Sequence, residues 1–309
     1  MTKVNLNQVA FPYYKNIKND SEIMKEFNKL KKYHPRSVVS NTNKNFNHYI
    51  LNFEKENKLL RITDYFSEKE RIKCQFNGHI SVYDWYEKNK QKIIDKLGPK
   101  VDYNEIDYYI WKNTKECSNF PIIMAMEVLK TFKVRKWLDP SAGWGDRLIA
   151  ALAYGCEYQA FDPNTKMQEN YQDIIDFFAP KEEEKYKITP KPFEKARVKS
   201  NYYDLVFTSP PFFDLEDYDV SVTQSHRAYP KIKQWKDNFL YPLILKSEKA
   251  LVKDGHLGLY ISNYPKYPTY VKDTMEYIKN NTSLQYQGAI SWVLSKNTKR
   301  NIYIWKKIN

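Results

Sequence analysis

Three cysteines in 309 residues, Cys74, Cys117 and Cys156, are too few and too irregularly spaced for a disulfide framework or a metal-ligand pattern. Unpaired in spacing, they fit a chain kept in a reducing compartment, and no metal is expected. No apolar run reaches 18 residues, and no leader of the secretory type opens the chain. A soluble, intracellular protein of cytoplasm or nucleus, without a membrane partner, is the expectation. No internal repeat is evident.

What is abundant is positive charge. Lys and Arg number 50 against 37 Asp and Glu, a formal net charge of +13. A basic surface favours phosphate backbones, with salt-sensitive and largely sequence-independent affinity. The excess also fits a plain solvated lysine surface in a chain rich in Lys, Asn, Ile and Tyr, so charge alone does not choose between the two. The length allows a substantial core, as one large domain or two.

Two local patterns carry more. Residues 204–212 read Asp-Leu-Val-Phe-Thr-Ser-Pro-Pro-Phe. An apolar strand ends at Phe207, and two prolines then fix an extended backbone, since each ring locks φ and removes an N–H. The carbonyls of Ser209 and Pro210 are thereby set at a strand's C-terminal edge, where open α/β sheets place ligands. Acceptors beside the Phe212 ring suit a planar amine such as a nucleobase. A rigid Pro-Pro turn with a capping Ser is the alternative reading.

Residues 134–148 read Val-Arg-Lys-Trp-Leu-Asp-Pro-Ser-Ala-Gly-Trp-Gly-Asp-Arg-Leu. A short strand, a turn holding Gly143 and Gly145, and a helix capped by Asp146 are predicted. Glycines let backbone approach a ligand, and a helix N-terminus supplies oriented donors. About 20 residues on, the strand Tyr158-Gln-Ala-Phe ends in Asp162, placed to accept hydrogens from ribose hydroxyls. Leu148 stands where a dinucleotide fingerprint has its third glycine, which disfavours a nicotinamide enzyme.

Asp139-Pro-Ser-Ala-Gly-Trp-Gly, then Asp162, then Ser209-Pro-Pro-Phe212 resembles the class I S-adenosylmethionine-dependent methyltransferases, and among them those that methylate exocyclic amines of DNA bases. The resemblance covers roughly residues 115–309. It implies a Rossmann-like, seven-stranded α/β sheet with a C-terminal antiparallel hairpin. It implies S-adenosyl-L-methionine as cofactor, held by Asp139, Ser141, Gly143, Gly145, Asp162 and Pro163. Ser209, Pro210, Pro211 and Phe212 would form the amine site. Ser at the first position is more typical of cytosine-N4 enzymes, without assigning the base. Cys117-Ser-Asn-Phe-Pro121 resembles the motif that helps bind the cofactor carboxylate, through Ser118 and Asn119, in a permuted order. Those two residues also suit a helix cap before Ile122.

The rest of the chain arranges itself around this core. Strands are read near 134–138, 158–161, 186–189, 204–207, 256–261, 286–294 and 301–305. Helices are read near 121–132, 146–154, 165–178, 235–252 and 268–280. Alternation of this kind implies a mostly parallel sheet covered on both faces. The last two strands sit too close for a crossover and should form a hairpin, with Lys296, Lys299 and Arg300 at a solvated or phosphate-touching tip. The loop 213–234 is long enough to be functional. Its Phe213, His226 and Arg227 are substrate-binding candidates, with a surface or capping role the alternative for His226.

Residues 1–110 match nothing in the family's core. They are read as a basic, mainly helical region preceding a catalytic domain at 111–309. Residues 1–50 carry nine Lys/Arg against three Asp/Glu, with a cluster from Lys29 to Lys32. Helices are expected at Leu59–Phe76 and Ser81–Leu97, and Gly98-Pro99 marks a break. The region either holds nucleic acid or packs on the core; Tyr83, Trp85 and Tyr86 read as packing residues.

The expected reaction is direct, in-line transfer of a methyl group to the exocyclic amine of cytosine or adenine in DNA. RNA amine methylation shares the same device. A degenerate fold serving as a nucleic-acid-binding subunit is the reading from another class, and the intact motifs argue against it. Protein-glutamine methylation uses Asn-Pro-Pro-Tyr, from which Ser209 departs. Oligomeric state is not legible.

Overall fold

The computed structural model describes residues 2–34, 37–43, 45–50, 61–218, 221–295 and 298–309. The expected Rossmann-type core is present. Its strands are β6 (Lys136–Asp139), β7 (Glu157–Phe161), β8 (Tyr186–Thr189), β9 (Tyr203–Thr208), β11 (Leu251–Tyr260), β12 (Leu284–Ser295) and β13 (Thr298–Lys307). Five earlier strands lie outside this set: β1 (Lys3–Asn5), β2 (Ser37–Asn43), β3 (Asn45–Ile50), β4 (Gln75–Phe76) and β5 (Lys100–Asp102); β10 (Glu216–Asp217) follows β9. The helices are α1 (Asp20–Lys31), α2 (Ile62–Arg71), α3 (Val82–Leu97), α4 (Tyr103–Asn113), α5 (Ile122–Phe132), α6 (Asp146–Tyr154), α7 (Gln168–Phe178), α8 (Ser225–Ala228), α9 (Ile232–Trp235), α10 (Tyr241–Ala250) and α11 (Tyr270–Asn281).

The main sheet runs β2-β3-β12-β13-β11-β9-β6-β7-β8. β6 to β9 and β11 are mutually parallel, and β13 runs antiparallel to both β11 and β12. From β6 the chain walks outward through β7 to β8, then returns to β9 on the other side of β6. That reversal opens a crevice at the C-terminal ends of β6 and β9, the place where doubly wound sheets bind ligands.

Side chains on each strand alternate between two cores, as a pleat requires. Trp137, Leu205 and Phe207 face one cluster; Leu138, Val206 and Leu257 face the other. Both sets are fully buried. Trp137 and Phe207 stack at 5.5 Å, and the Trp137 indole N–H donates to the Phe207 carbonyl at 2.9 Å.

The sheet has nine strands rather than the seven expected. Residues 37–50 were not read as strands, yet β2 and β3 pair antiparallel and β3 adds parallel to β12. The segment has no strong alternation to announce it; its pairing is with residues some 240 positions away. The cysteine expectation also fails. Cys74 and Cys117 form a disulfide across 43 residues, with Cα atoms 6.1 Å apart, and Cys156 is free and buried. Spacing along the chain said nothing of their proximity in space. Among the described residues no helix is long and apolar enough to cross a membrane.

Residues before 110 pack on the α5–α6–α7 face. Asn19 and Glu22 make a reciprocal capping box at the start of α1. Ile23, Phe27 and Leu30, spaced four and three residues apart, form the buried stripe of α1. Phe27 stacks on Phe178 of α7 with centroids 3.9 Å apart, and the Tyr33 hydroxyl donates to Glu127 of α5 at 2.7 Å. In the expected phosphate cluster, Lys29 pairs with Glu26 at 2.8 Å and the Lys31 ammonium lies 5.8 Å over Phe27. Leu59 and Leu60, at the expected start of the following helix, and Lys296, at the hairpin tip, lie outside the described residues, as does the side chain of Lys299.

A shared cluster predicts shared unfolding. Phe27→Ala should cost the whole chain about 3–5 kcal/mol, the usual range for a buried phenylalanine. Denaturant unfolding followed by fluorescence and circular dichroism should give one coincident transition. Two separated transitions, with only the earlier one moved by the substitution, would mean that the first 110 residues fold by themselves.

Candidate active site

The turn between β6 and α6 is held from below by a buried carboxylate. Asp139 has no exposed surface. One oxygen accepts from the Ser141 amide at 3.1 Å; the other accepts from Arg147 Nε and the Tyr158 hydroxyl, both at 2.7 Å. The Arg147 guanidinium also donates to the Ser141 carbonyl. Asp139 is therefore the internal anchor of the turn, not a residue of the cleft surface as expected. Burying either charge alone would be costly; together, with their remaining valences met, they are tolerated.

The turn needs its glycines for different reasons. Gly143 and Gly145 both have positive φ, +66° and +99°. At Gly145 a Cβ would also stand 2.8 Å from Ile174 Cδ1. Gly145 is the residue before α6 and lies under the turn, against α7; it does not line the cleft. Asp146, expected to cap α6, sits in its first turn. Its oxygens accept from Thr63 Oγ1 at 2.6 Å and from the Phe120 amide at 3.1 Å. Burial pushes this carboxyl up to about 7, against the pull of those two donors and of Arg147.

Asp162 follows β7 and faces the cleft. It accepts from the Gly143 and Asn164 amides, both at 2.9 Å, so strand end and glycine turn are laced together. Burial raises its carboxyl to about 6, the amide donors notwithstanding. Beside it lie Pro163, Phe193 and Glu194. Glu194 Oε1 takes a 3.3 Å hydrogen bond from Tyr229, while buried Oε2 has no partner among the described residues. Lys246 Nζ fixes this loop by donating to the carbonyls of Phe193, Glu194 and Ala196 at 2.7–2.9 Å. Nothing in the local sequence marks Glu194 or Lys246, though Glu194 also follows a strand end at the same edge.

These groups line one cavity of about 1180 Å³. Ser118, Asn119, Ser141, Gly143, Asp162, Pro163, Ser209, Pro211 and Phe212 all reach it, so most of the expected residues converge. Pro210 is buried beneath its neighbours and does not. Phe212 meets Tyr270 at right angles, with centroids 5.9 Å apart, and lines the cavity together with Ser209. Tyr260, Trp292 and Arg300 complete that end.

Three expected substrate contacts point elsewhere. Phe213 turns through a positive φ of 50° and packs edge-on against Trp235 at 5.8 Å. His226 contacts the Gln224 amide, and burial lowers its imidazole pKa, so it carries less charge than a solvated histidine. Arg227 pairs with Asp217 of β10. All three shape the loop and stay off the cavity wall.

The roof comes from residues the family resemblance did not reach. Thr63 and Ser67 of α2 bond Asp146 and the Trp144 carbonyl. Asp64 accepts from Arg71 twice, at 3.0 and 2.8 Å, and from Asn119 Nδ2 at 2.8 Å. Asn119 Oδ1 is buried without a partner among the described residues. Arg71 reaches on to Glu116 and to the Cys117 carbonyl. Opposite, β10 pairs with β4, Glu216 with Phe76 and Asp217 with Gln75, and Asn77 donates to the Leu215 carbonyl at 2.7 Å. The loop after Phe212 is thus clamped to the roof, next to the disulfide.

Chemically, the Asp162 end offers hydroxyl acceptors, an apolar slot and a carboxylate with one unpartnered oxygen, which together fit a nucleoside. The opposite end offers Ser209 and an aromatic face.

No family model and no curated protein matches this chain. Solved structures similar to it in fold include a methyltransferase from Pyrococcus furiosus, at 18% identity and TM-score 0.42, covering 62% of this chain and 84% of that one. N-methyltransferase NodS from Bradyrhizobium japonicum, in complex with S-adenosyl-L-homocysteine, aligns at 9% identity and 0.43, covering 61% and 86%. The 1,6-didemethyltoxoflavin-N1-methyltransferase of Burkholderia thailandensis aligns at 8% and 0.45, covering 74% and 91%.

The buried pair beneath the turn makes a sharp prediction. Asp139→Ala leaves Arg147 buried and uncompensated and should cost roughly 3–5 kcal/mol. The double substitution Asp139→Leu with Arg147→Met should cost markedly less than Asp139→Ala. Urea unfolding of the three proteins checks the order; a double variant worse than the single one would contradict the pairing.

Proposed function

We propose that this protein is an S-adenosylmethionine-dependent methyltransferase acting on the exocyclic amine of a nucleobase in nucleic acid, with DNA favoured over RNA. The observation that carries the reading is the convergence of Asp162, the Gly143 turn and Ser209, Pro211 and Phe212 on one cavity. These segments lie far apart in sequence and meet only at the sheet's switch point.

The residues fit the cofactor. Asp162 would take the ribose hydroxyls, Pro163 and Phe193 the faces of the adenine, and the unpaired Glu194 oxygen its amino group. Asn119 Oδ1 is a free acceptor for the ammonium of the methionine part. When bound, the cofactor supplies a methyl group on a cationic sulfur.

The protein's own part is orientation. A base amine is a poor nucleophile because its lone pair is delocalised into the ring. Acceptors at Ser209 and the carbonyls of its turn would hold the amine hydrogens, so that the lone pair is freed and aimed. The Phe212 face would hold the base plane. Two prolines keep those acceptors from relaxing away, which is where alignment yields rate. No nucleophilic side chain is required, so no covalent enzyme intermediate forms.

Digestion of DNA and RNA after incubation with labelled cofactor, followed by identification of the methylated nucleoside, tests the reading directly. Ser209→Ala and Phe212→Ala should each lower transfer severely while cofactor affinity, read by calorimetry, stays near wild type. Asp162→Ala should weaken cofactor binding at least about tenfold, or about 1.4 kcal/mol. Near-normal turnover in both amine-site variants would end the assignment.

Asp162 also gives a pH signature. Its carboxyl, raised to about 6 by burial, must be ionised before both oxygens can accept hydroxyl hydrogens. Ligation favours the ionised form, so cofactor affinity should be full above pH 6 and fall toward tenfold per unit below it. Calorimetry across pH 5–8 should show this profile, and Asp162→Asn should bind more weakly with a flatter one.

A further inference from the structure

An amphipathic helix should leave water only its polar face. α4 does not. Tyr103, Ile106 and Ile110 point inward and are buried. On the outer side Tyr108 and Trp111, three residues apart, are 59% and 62% exposed. Their rings lie 5.8 Å apart at 31°, so they form one continuous aromatic surface in water. Tyr109, between them, turns inward to Trp85 and to the Lys96 ammonium, so the exposed pair is not needed to hold α4 in place.

The surroundings are cationic. Lys112 and Lys115 follow in the chain, both exposed and without an ion-pair partner among the described residues. The nearby acids are already committed, Asp107 to Arg61 at 2.8 Å and Glu116 to Arg71 at 2.7 Å. Glu105 sits a helical turn back toward the start of α4. Trp111, Lys112 and Lys115 also line the same cavity as Ser209 and Phe212.

We infer that Tyr108 and Trp111 form a stacking platform for an unpaired base next to the target nucleotide, with Lys112 and Lys115 on its phosphates, so that the substrate is engaged as a single strand. The inference rests on the reading of the cavity as a nucleic-acid amine site. Aromatic faces in water stack on bases only where those bases are already out of a duplex. Cations interleaved with aromatics are the usual composition of single-strand grooves, and they favour no base in particular. A duplex surface would offer the lysines phosphates but leave the two rings without partners.

The test uses the full chain and labelled single-stranded oligonucleotides, deoxy and ribo, with the duplex as a third arm. Trp111→Ala should raise the KM for a single strand at least about tenfold, the scale of one base–aromatic stack, with kcat retained. Trp111→Phe should restore most of the loss. Lys112→Gln with Lys115→Gln should flatten the dependence of log affinity on log salt by roughly 0.7 per lost contact. Calorimetric binding of S-adenosylmethionine shows that each variant is folded. If the wild type methylates a strand and Trp111→Ala does so with unchanged KM, the platform is refuted alone. An equal loss on duplex and single strand also refutes it. If the wild type methylates neither nucleic acid, the proposed function fails and the platform falls with it.

Discussion

One buried carboxylate decides the geometry of the cleft. Asp139 has no contact with water, and its oxygens are shared among the Ser141 amide, Arg147 and Tyr158. Arg147 joins α6 to the turn before it, and Tyr158 joins β7 to β6. A whole domain is stable by only about 5–15 kcal/mol, so an uncompensated charge here would consume a large part of the total. The glycine turn has one conformation because every alternative leaves one of these groups unpaired in a dry interior. Asp162 then inherits its position, since it bonds the amide of Gly143 within that turn.

The same economy of polar groups joins the N-terminal region to the core. α2 meets the turn not through apolar contact alone but through Thr63, Ser67 and the Asp64–Arg71 pair, which in turn orders Asn119. Each partner is buried or partly buried, so withdrawal of α2 would strand several donors and acceptors together. Meanwhile β10 pairs with β4, which binds the loop after Phe212 to the roof. The Asp162 end and the Ser209 end are therefore covered by one piece of chain. The disulfide between Cys74 and Cys117 lies where that cover joins the strip Ser118–Phe120, and both cysteines are buried.

What the sequence disclosed follows from the range of the interactions involved. Strand β9 ends at Thr208 and α6 begins at Asp146, each within a residue of the expected strand end at Phe207 and helix cap at Asp146, because apolar runs, prolines and glycines act over a few residues. Ser209, Phe212, Gly143 and Asp162 were legible for the same reason: each sits at a strand end, where the chain itself marks the ligand edge. Asp139 was visible as a residue but not as an anchor, since its partner Tyr158 lies 19 positions on and no periodicity links the two. Strands β2 and β3 escaped because edge pairing leaves only a weak imprint on composition. The roof, the disulfide, Glu194 and Lys246 share a cause: their partners are distant in sequence. Phe213, His226 and Arg227 were misplaced because chemical type alone does not say which way a loop residue turns.

The placement of charge explains why a net basic chain can present an acidic-lined cavity. Asp162, Asp146, Glu194 and Glu216 carry carboxyls raised by burial, Asp64 is paired with both Arg61 and Arg71, and Glu116 shares Arg71. The field inside is therefore weaker than a count of acids suggests. On the proposed reading it suits a ligand bearing hydroxyls, an amino group and a cationic centre, while the uncommitted Lys112 and Lys115 are exposed on the wall of the same cavity. If the ligand is a nucleotide strand, as proposed, those lysines would meet its phosphates, and the acids within would disfavour phosphate while admitting an uncharged base. On that reading the exposed lysines and the buried acids would sort phosphate from base on the way to Ser209.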